Sequence, residues 1–202
     1  MSVCFYPLLG YLSGSILFAR IFTRLFGVEN KIDAAKDRNP GTANAFSAGG
    51  FWCGTATLTC DLMKGFLPVW AMTSFAPPAS QFWLALTIAS PVLGHTFPVF
   101  HRFRGGKGIA VTFGSLLGIQ PTLYPFALFC LFFILFSAII IVSPHYHRTI
   151  ASYLATAMGL IVIPVLPGVR WGFWGITGLV LVRMRLSPEE REQAKVRFLW
   201  MH

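Results

Sequence analysis

An all-α, polytopic integral membrane protein is the fold class that this sequence predicts, and three observations predict it. Hydrophobic residues make up 55% of the 202 positions, and only 11% are charged, against roughly 25% in soluble domains. The mean hydropathy is +0.65. Apolar runs recur from one end of the chain to the other, and nearly all the basic residues lie between them. A net charge of +9 would suggest nucleic acid only if it formed a patch on a soluble fold. Set in loops between apolar runs, it is the pattern of a cytoplasmic membrane face, and no nucleic-acid partner is expected.

The runs occupy about 5–26, 49–75, 82–100, 108–120, 122–142, 149–166 and 168–184. A helix needs about 20 residues to cross the hydrocarbon core, so most are long enough. The run from Gly108 to Gln120 is short and stops at Pro121. It is either a half-helix packed within the bundle or a thin, tilted crossing, and a broken backbone is tolerated there only under cover of protein or a water-filled cavity. Counting it as a crossing gives about seven transmembrane helices. All Lys and Arg residues except Lys64 and Arg170 then fall on one side. The positive-inside rule puts the N-terminus outside and the C-terminus in the cytoplasm. The apolar start runs on to Arg20 without an early positive charge, so it reads as a retained first helix rather than a signal peptide.

No linker divides residues 1–202, which read as a single membrane-embedded domain. The tail, 187–202, opens Ser187-Pro188-Glu189-Glu190, with Ser at N-cap, Pro at N1 and Glu at N3. It predicts a short amphipathic helix on the cytoplasmic surface, with Lys195 and Arg197 near anionic membrane lipid. Cys4, Cys53, Cys60 and Cys130 sit in or beside apolar runs without CxxC or metal-ligand spacing, and read as small core residues. His145 and His147 lack a third ligand, so no metal site is expected, and no cofactor.

Chemistry concentrates in three polar segments. Asp37-Arg38-Asn39-Pro40-Gly41-Thr42-Ala43-Asn44 precedes the second run, where turn residues and helix-start N–H groups attract anions. Gly105-Gly106-Lys107-Gly108 stands just before the short fourth run. Two glycines, a lysine and a glycine there can form a nest of N–H groups beside an ammonium, which suits a phosphate. The spacing is not that of a Walker A loop. Asp61 and Lys64 lie inside the second run, three residues apart on one helix face, where an ion pair offsets the cost of burying charge.

In order and spacing these segments resemble the bacterial acyl-phosphate:glycerol-3-phosphate acyltransferases, the PlsY family. Gly14-Ser15 ends an early helix segment. Asn39-Pro40-Gly41-Thr42-Ala43-Asn44 is similar to the family's GSGNxGATN loop, and Asp61-Leu62-Met63-Lys64-Gly65 to its DxxKG. Gly94-His95-Thr96-Phe97-Pro98-Val99-Phe100 resembles GHxFPVF, and Phe103-Arg104-Gly105-Gly106-Lys107-Gly108-Ile109-Ala110 resembles FkGGKGvA. The resemblance implies a seven-helix fold that moves a fatty acyl group from acyl phosphate to glycerol 3-phosphate, giving lysophosphatidic acid. It implies Lys107 and His95 as catalytic candidates. Asn39, Gly41, Thr42, Asn44, Gly105, Gly106 and Gly108 become substrate-binding candidates, and Asp61, Lys64 and Ser15 site-adjacent ones. The HxxxxD pair of other glycerolipid acyltransferases is absent.

The sequence also departs from the family. Asp37 stands where a phosphate-binding serine is expected, and Ser47 where an arginine is. A serine position in the fifth loop falls at or near Arg148. Arg183-Met184-Arg185-Leu186-Ser187-Pro188 replaces RHRxNI, so the histidine and asparagine positions carry Met184 and Ser187. Arg38, His147, Arg148 and Arg185 are candidates for the replacement charge, and arginine makes charge-assisted, often bidentate phosphate contacts. Three alternatives stay open: another small polar acceptor, a non-catalytic lipid-binding or partner role, and transport of a phosphorylated solute.

Overall fold

The computed structural model describes residues 3–35, 39–76, 80–187 and 193–199, with Asp33 described by its backbone alone. The chain folds as a bundle of helices: α1 Phe5–Gly14, α2 Phe18–Leu25, α3 Glu29–Asp33, α4 Thr42–Phe75, α5 Gln81–Thr96, α6 Ile109–Leu117, α7 Tyr124–Ile134, α8 His145–Val162 and α9 Pro167–Arg185. Helix α5 runs between α1 and α9, and α6 packs against α4 and α5. Close crossings use glycine. Gly14 and Gly94 face backbone across the α1–α5 contact, and Gly65 and Gly114 do so across α4–α6. Small residues let helix backbones approach where lipid supplies no hydrophobic drive.

The polarity of the bundle suits lipid. Leu8, Leu12, Leu131, Ile134, Met158, Ile161, Trp171 and Trp174 are exposed, whereas Thr57, Thr112, Ser152, Thr156 and Thr177 are buried. Each of those hydroxyls donates to the carbonyl four residues before it, at 2.8–2.9 Å, so none is buried unsatisfied. At the centre Phe113, Phe129, Phe133, Tyr153 and Phe173 form a connected aromatic group with ring centroids 4.5–5.9 Å apart. The Tyr153 hydroxyl donates to Thr112 Oγ1 at 2.8 Å.

Interruptions to the helices matter more for the site than the helices themselves. The first run breaks at 15–17 between α1 and α2. Helix α4 begins at Thr42, seven residues before the apolar run does, and kinks at Gly50, whose φ of +73° is strained for any residue with a Cβ. Helix α6 has nine residues, about 13 Å at 1.5 Å per residue. Enclosed by α4, α5 and α7, it has the length of a half-helix, one of the two forms left open for the fourth run. Among the described residues two stretches, Phe5–Leu25 and Gln81–His101, are long and apolar enough to cross a membrane by length and composition, each with a short break in the helix.

Two expectations need correction. The run 122–142 is not helical throughout. Helix α7 passes through a wider turn at Leu135–Ile139 into strand β1, Ile140–Ser143. Consecutive β-branched residues Ile139 to Val142 favour extended backbone. The tail supplies the partner: β2, Lys195–Phe198, pairs antiparallel, with Ile140 opposite Phe198 and Ser143 opposite Lys195. The bundle thus carries a small two-stranded sheet, and Lys195 and Arg197 lie on a strand instead of the expected surface helix. Most of the capping sequence that predicted this helix, 188–192, lies outside the described residues.

Candidate functional site

A cavity of about 360 Å³ opens among the starts of α4, α6 and α8. Asn39, Gly41, Thr42 and Ala43 line it from the α4 start, Lys107, Gly108, Ile109 and Ala110 from the α6 start, and His145 from α8. Each helix start leaves N–H groups without intrahelical partners and carries the positive end of the helix dipole. At α4 and α6 the N-cap residues are Gly41 and Gly108, with no side-chain cap. The N–H groups there are left for a ligand, and an anion suits them. Gly108 has φ +78°, a left-handed turn that aims the loop into α6 and that glycine adopts without penalty. The other lining is apolar: Phe46, Leu58, Phe113 and Phe133.

Behind the cavity lies a buried polar cluster. Asp61, Lys64 and His95 are 1%, 5% and 3% exposed. Lys64 Nζ donates to the Ile16 carbonyl at 2.6 Å, lies 2.8 Å from Asp61 Oδ1 and meets His95 Nδ1 at 2.9 Å. An ammonium has three protons and no lone pair; it donates to the carbonyl and to the imidazole, and its contact with Asp61 Oδ1 is an ion pair. The carbonyl it reaches is one that the α1–α2 break releases, so the break and the lysine satisfy each other. Because the ammonium donates, His95 Nδ1 accepts, and the ring proton sits on Nε2. Thr42 Oγ1 donates to Asp61 Oδ2 at 3.5 Å, joining the cluster to the start of α4.

The glycine loop is held against this cluster. Gly106 N–H donates to the His95 carbonyl at 3.0 Å, and Gly105 N–H to that of Thr96 at 3.2 Å. A Cβ on Gly106 would lie 2.2 Å from His95 Nε2, so only glycine admits the imidazole there. From α9, Arg183 donates twice to the Gly105 carbonyl, through Nε at 3.1 Å and an Nη at 2.6 Å.

The residues singled out in the sequence therefore divide. Asn39, Gly41, Thr42, Asp61, His95, Lys107 and Gly108 line one cavity, although they lie up to 69 positions apart (39 to 108). Asn44 braces the first loop by donating to the Asn39 carbonyl at 2.9 Å. Gly105 and Gly106 shape the wall behind. Ser15 is buried with its hydroxyl on the Tyr11 carbonyl at 2.8 Å, a structural position. Arg148 donates to His145 Nδ1 at 2.7 Å and so stands one residue behind the cavity. Arg185 is exposed and does not line it. Asp37 and Arg38 lie outside the described residues. Ser47 is exposed and donates back to the Ala43 carbonyl at 3.1 Å, and Met184 is buried in the core.

Sequence reasoning missed Arg183 as the clasp on the glycine loop and His145 as a wall of the cavity. Arg183 carried no signal beyond a basic helix end. His145 at the start of an apolar run was visible, but only as an unlikely metal ligand. Among the described residues no cluster of three or more His, Cys, Asp or Glu could hold a metal ion.

A lipid-facing helical bundle, enclosing a cavity with an anion-suited end and an aromatic end, defines a membrane protein built around an internal site. A family model described as glycerol-3-phosphate acyltransferase matches residues 4–190. The chain belongs to the glycerol-3-phosphate acyltransferase family. It is 42% identical over 112 residues to the glycerol-3-phosphate acyltransferase of Klebsiella pneumoniae, covering 55% of this chain and 53% of that protein. With the Cupriavidus taiwanensis enzyme of the same name it shares 38% over 125 residues, 61% of each. The chain thus spans about half the length of the curated relatives it matches. Among solved structures it resembles PlsY, an integral membrane glycerol 3-phosphate acyltransferase, in its glycerol 3-phosphate form, with a TM-score of 0.75 and 27% identity. That likeness covers 92% of this chain and 90% of the other. The lysophosphatidic acid form aligns with a TM-score of 0.74 and 28% identity, covering 92% and 89%. This chain is likewise an integral membrane protein.

Proposed function

We propose that this protein is a membrane acyltransferase of phospholipid synthesis, moving a fatty acyl group from acyl phosphate to the 1-hydroxyl of glycerol 3-phosphate. The observation that carries this reading is that one cavity joins Lys107 and two uncapped helix starts to a wall of Phe46, Leu58, Phe113 and Phe133. Phosphate oxygens suit the first part and an acyl chain the second. The names of the relatives and the glycerol 3-phosphate and lysophosphatidic acid forms of PlsY support the same substrates.

In the reaction the acceptor oxygen forms a bond to the acyl carbon, the acyl carbon–phosphate oxygen bond breaks, and phosphate leaves with the hydroxyl proton. The protein's part is to hold two anionic substrates together and to stabilise charge on the carbonyl and the leaving phosphate. Lys107 and the N–H groups at the starts of α4 and α6 serve that role. His95, protonated on Nε2, is a donor toward a cavity oxygen rather than a base. The Asp61–Lys64 pair fixes its tautomer and ring position. Seven crossings, with the N-terminus outside and the cavity open to the cytoplasm, fit the placement of the basic residues.

A different small polar acceptor is the second reading, favoured by Met184, whose buried side chain offers no polar group where the family pattern has histidine. Both readings are tested by phosphate release from palmitoyl phosphate, with and without glycerol 3-phosphate, followed by lipid mass spectrometry. Acceptor-dependent release with lysophosphatidic acid formed is expected. Release that needs another acceptor would select the second reading, and folded protein that never releases phosphate would overturn both.

A further inference from the structure

The turn that joins α5 to the glycine loop presents a surface that the cavity does not use. The apolar stretch Gln81–His101 is 21 residues long, and Arg102 follows it directly. Val99–Arg104 therefore lies where a crossing leaves the hydrocarbon for the headgroups. Phe100 and Phe103 are 60% and 59% exposed, and Arg102 and Arg104 are exposed as well. Among the described residues neither guanidinium has an ion pair or a side-chain hydrogen bond. Arg102 and Phe103 also have φ of +52° and +59°. Two residues with a Cβ in succession persist in the left-handed region only where their surroundings fix them. The inner side of the turn is fixed by the protein. The Pro98 carbonyl accepts from the His101 N–H at 3.2 Å and the Phe103 N–H at 3.0 Å. Val99 N–H donates to Ser15 Oγ at 3.4 Å, and the Tyr11 hydroxyl to the Phe97 carbonyl at 3.1 Å. The outer side carries only the two rings and the two cations. A lipid fits it better than a protein, because the span it ends exposes Phe82, Leu86 and Leu93 to acyl chains and because unpaired guanidiniums complement a negative leaflet.

We propose that Val99–Arg104 is a binding site for an anionic phospholipid, with Arg102 and Arg104 on its headgroup and Phe100 and Phe103 at the acyl boundary beside it. The bound lipid steadies the glycine loop, since Gly105 follows Arg104 and its N–H is held by the Thr96 carbonyl at 3.2 Å. This inference stands apart from the acyltransferase reading, because it concerns the outer surface of the turn and not the cavity.

The test is native mass spectrometry of the full-length protein in detergent, titrated with dioleoyl phosphatidylglycerol or dioleoyl phosphatidylcholine. An arginine near an anionic surface is worth about fivefold in affinity, so the pair should give about a thirtyfold preference for phosphatidylglycerol. Arg102→Gln/Arg104→Gln is expected to lose that preference and keep its affinity for phosphatidylcholine. Phe100→Ser/Phe103→Ser is expected to weaken both lipids alike. Lys195→Gln/Arg197→Gln removes the same charge from β2 and is expected to keep most of the preference. An equal loss there would mean diffuse charge instead of a site, and would overturn the proposal. So would an unchanged preference in Arg102→Gln/Arg104→Gln, with both proteins eluting as folded. A wild type that does not distinguish the two lipids, the result expected if the turn docks a protein, would overturn it too. Hydrogen exchange reads the link to the glycine loop. With phosphatidylglycerol at ten times its Kd, the Gly105 and Gly106 amides should exchange about tenfold more slowly than without lipid. Exchange that lipid leaves unchanged would overturn that link.

Discussion

His95 and His145 face one cavity from different surroundings. His95 sits in the last turn of α5, 3% exposed, held from behind by a lysine that is itself tied to Asp61 and to the Ile16 carbonyl. Four separate stretches of chain meet at that lysine and imidazole: the α1–α2 break, α4, α5 and the glycine loop. His145 is half-buried, and its partner Arg148 comes from its own helix. The first arrangement is locked by tertiary structure, whereas the second is a local device that two residues of one helix can build. A perturbation at the first should therefore reach both stability and chemistry, and one at the second chemistry mainly.

Lys107→Ala tests the side of the cavity that both regions share, and carries the largest expected effect. Loss of a positioned donor costs about 10² to 10³ in kcat, and phosphate release should fall by that factor with unchanged elution on size exclusion. Near-normal activity would remove Lys107 from the site. Next comes Lys64→Met, which strands the Asp61 carboxylate in the bundle. Breaking a buried pair costs about 3–5 kcal/mol, so a large drop in Tm is expected. The double variant Asp61→Asn/Lys64→Met should regain much of the stability but not the activity. Should the double variant be fully active, the cluster behind His95 would be packing alone. Arg183→Ala removes both bonds to the Gly105 carbonyl. At about 1.5–3 kcal/mol for a hydrogen bond to a charged group, it should raise substrate KM about tenfold to a hundredfold, with a smaller loss of Tm than Lys64→Met.

The smallest effect is expected outside both regions, at the exposed Arg24–Glu29 pair, with its 2.9 Å contacts. The hydrogen bond from Arg24 holds the Glu29 carboxyl below its ordinary value. The sign follows: any stabilisation is present above the usual carboxylate range and is lost as pH falls through the lowered value. An exposed pair is worth little, so Arg24→Ala should leave Tm at neutral pH unchanged within error. A marked drop would mean that the α2–α3 turn supports the loop before Asn39.

Much of this was legible from residue order alone. Hydropathy located the apolar runs, since lipid demands long stretches without charge. The resemblance drew the loop at Asn39 to Asn44, the Asp61–Lys64 pair, His95 and Lys107 into one site, and the cavity includes members of all of them. The strand at Ile140–Ser143 was not legible within an apolar run, because a β-branched stretch supports helix or strand according to its partner. Its partner lies 52 or more residues away in the tail. Arg183 escaped for a similar reason, since its target carbonyl is 78 residues distant.

The sequence by itself determined that the chain is a bundle of apolar helices with an anion-suited polar side, because burial in lipid and repulsion between like charges act residue by residue. Only the tertiary structure decided which helix starts share a cavity and which cation stands behind each imidazole. It also decided that α6 stays a half-helix enclosed by its neighbours. Those outcomes depend on distances between segments far apart in the chain, which packing sets and local composition does not encode.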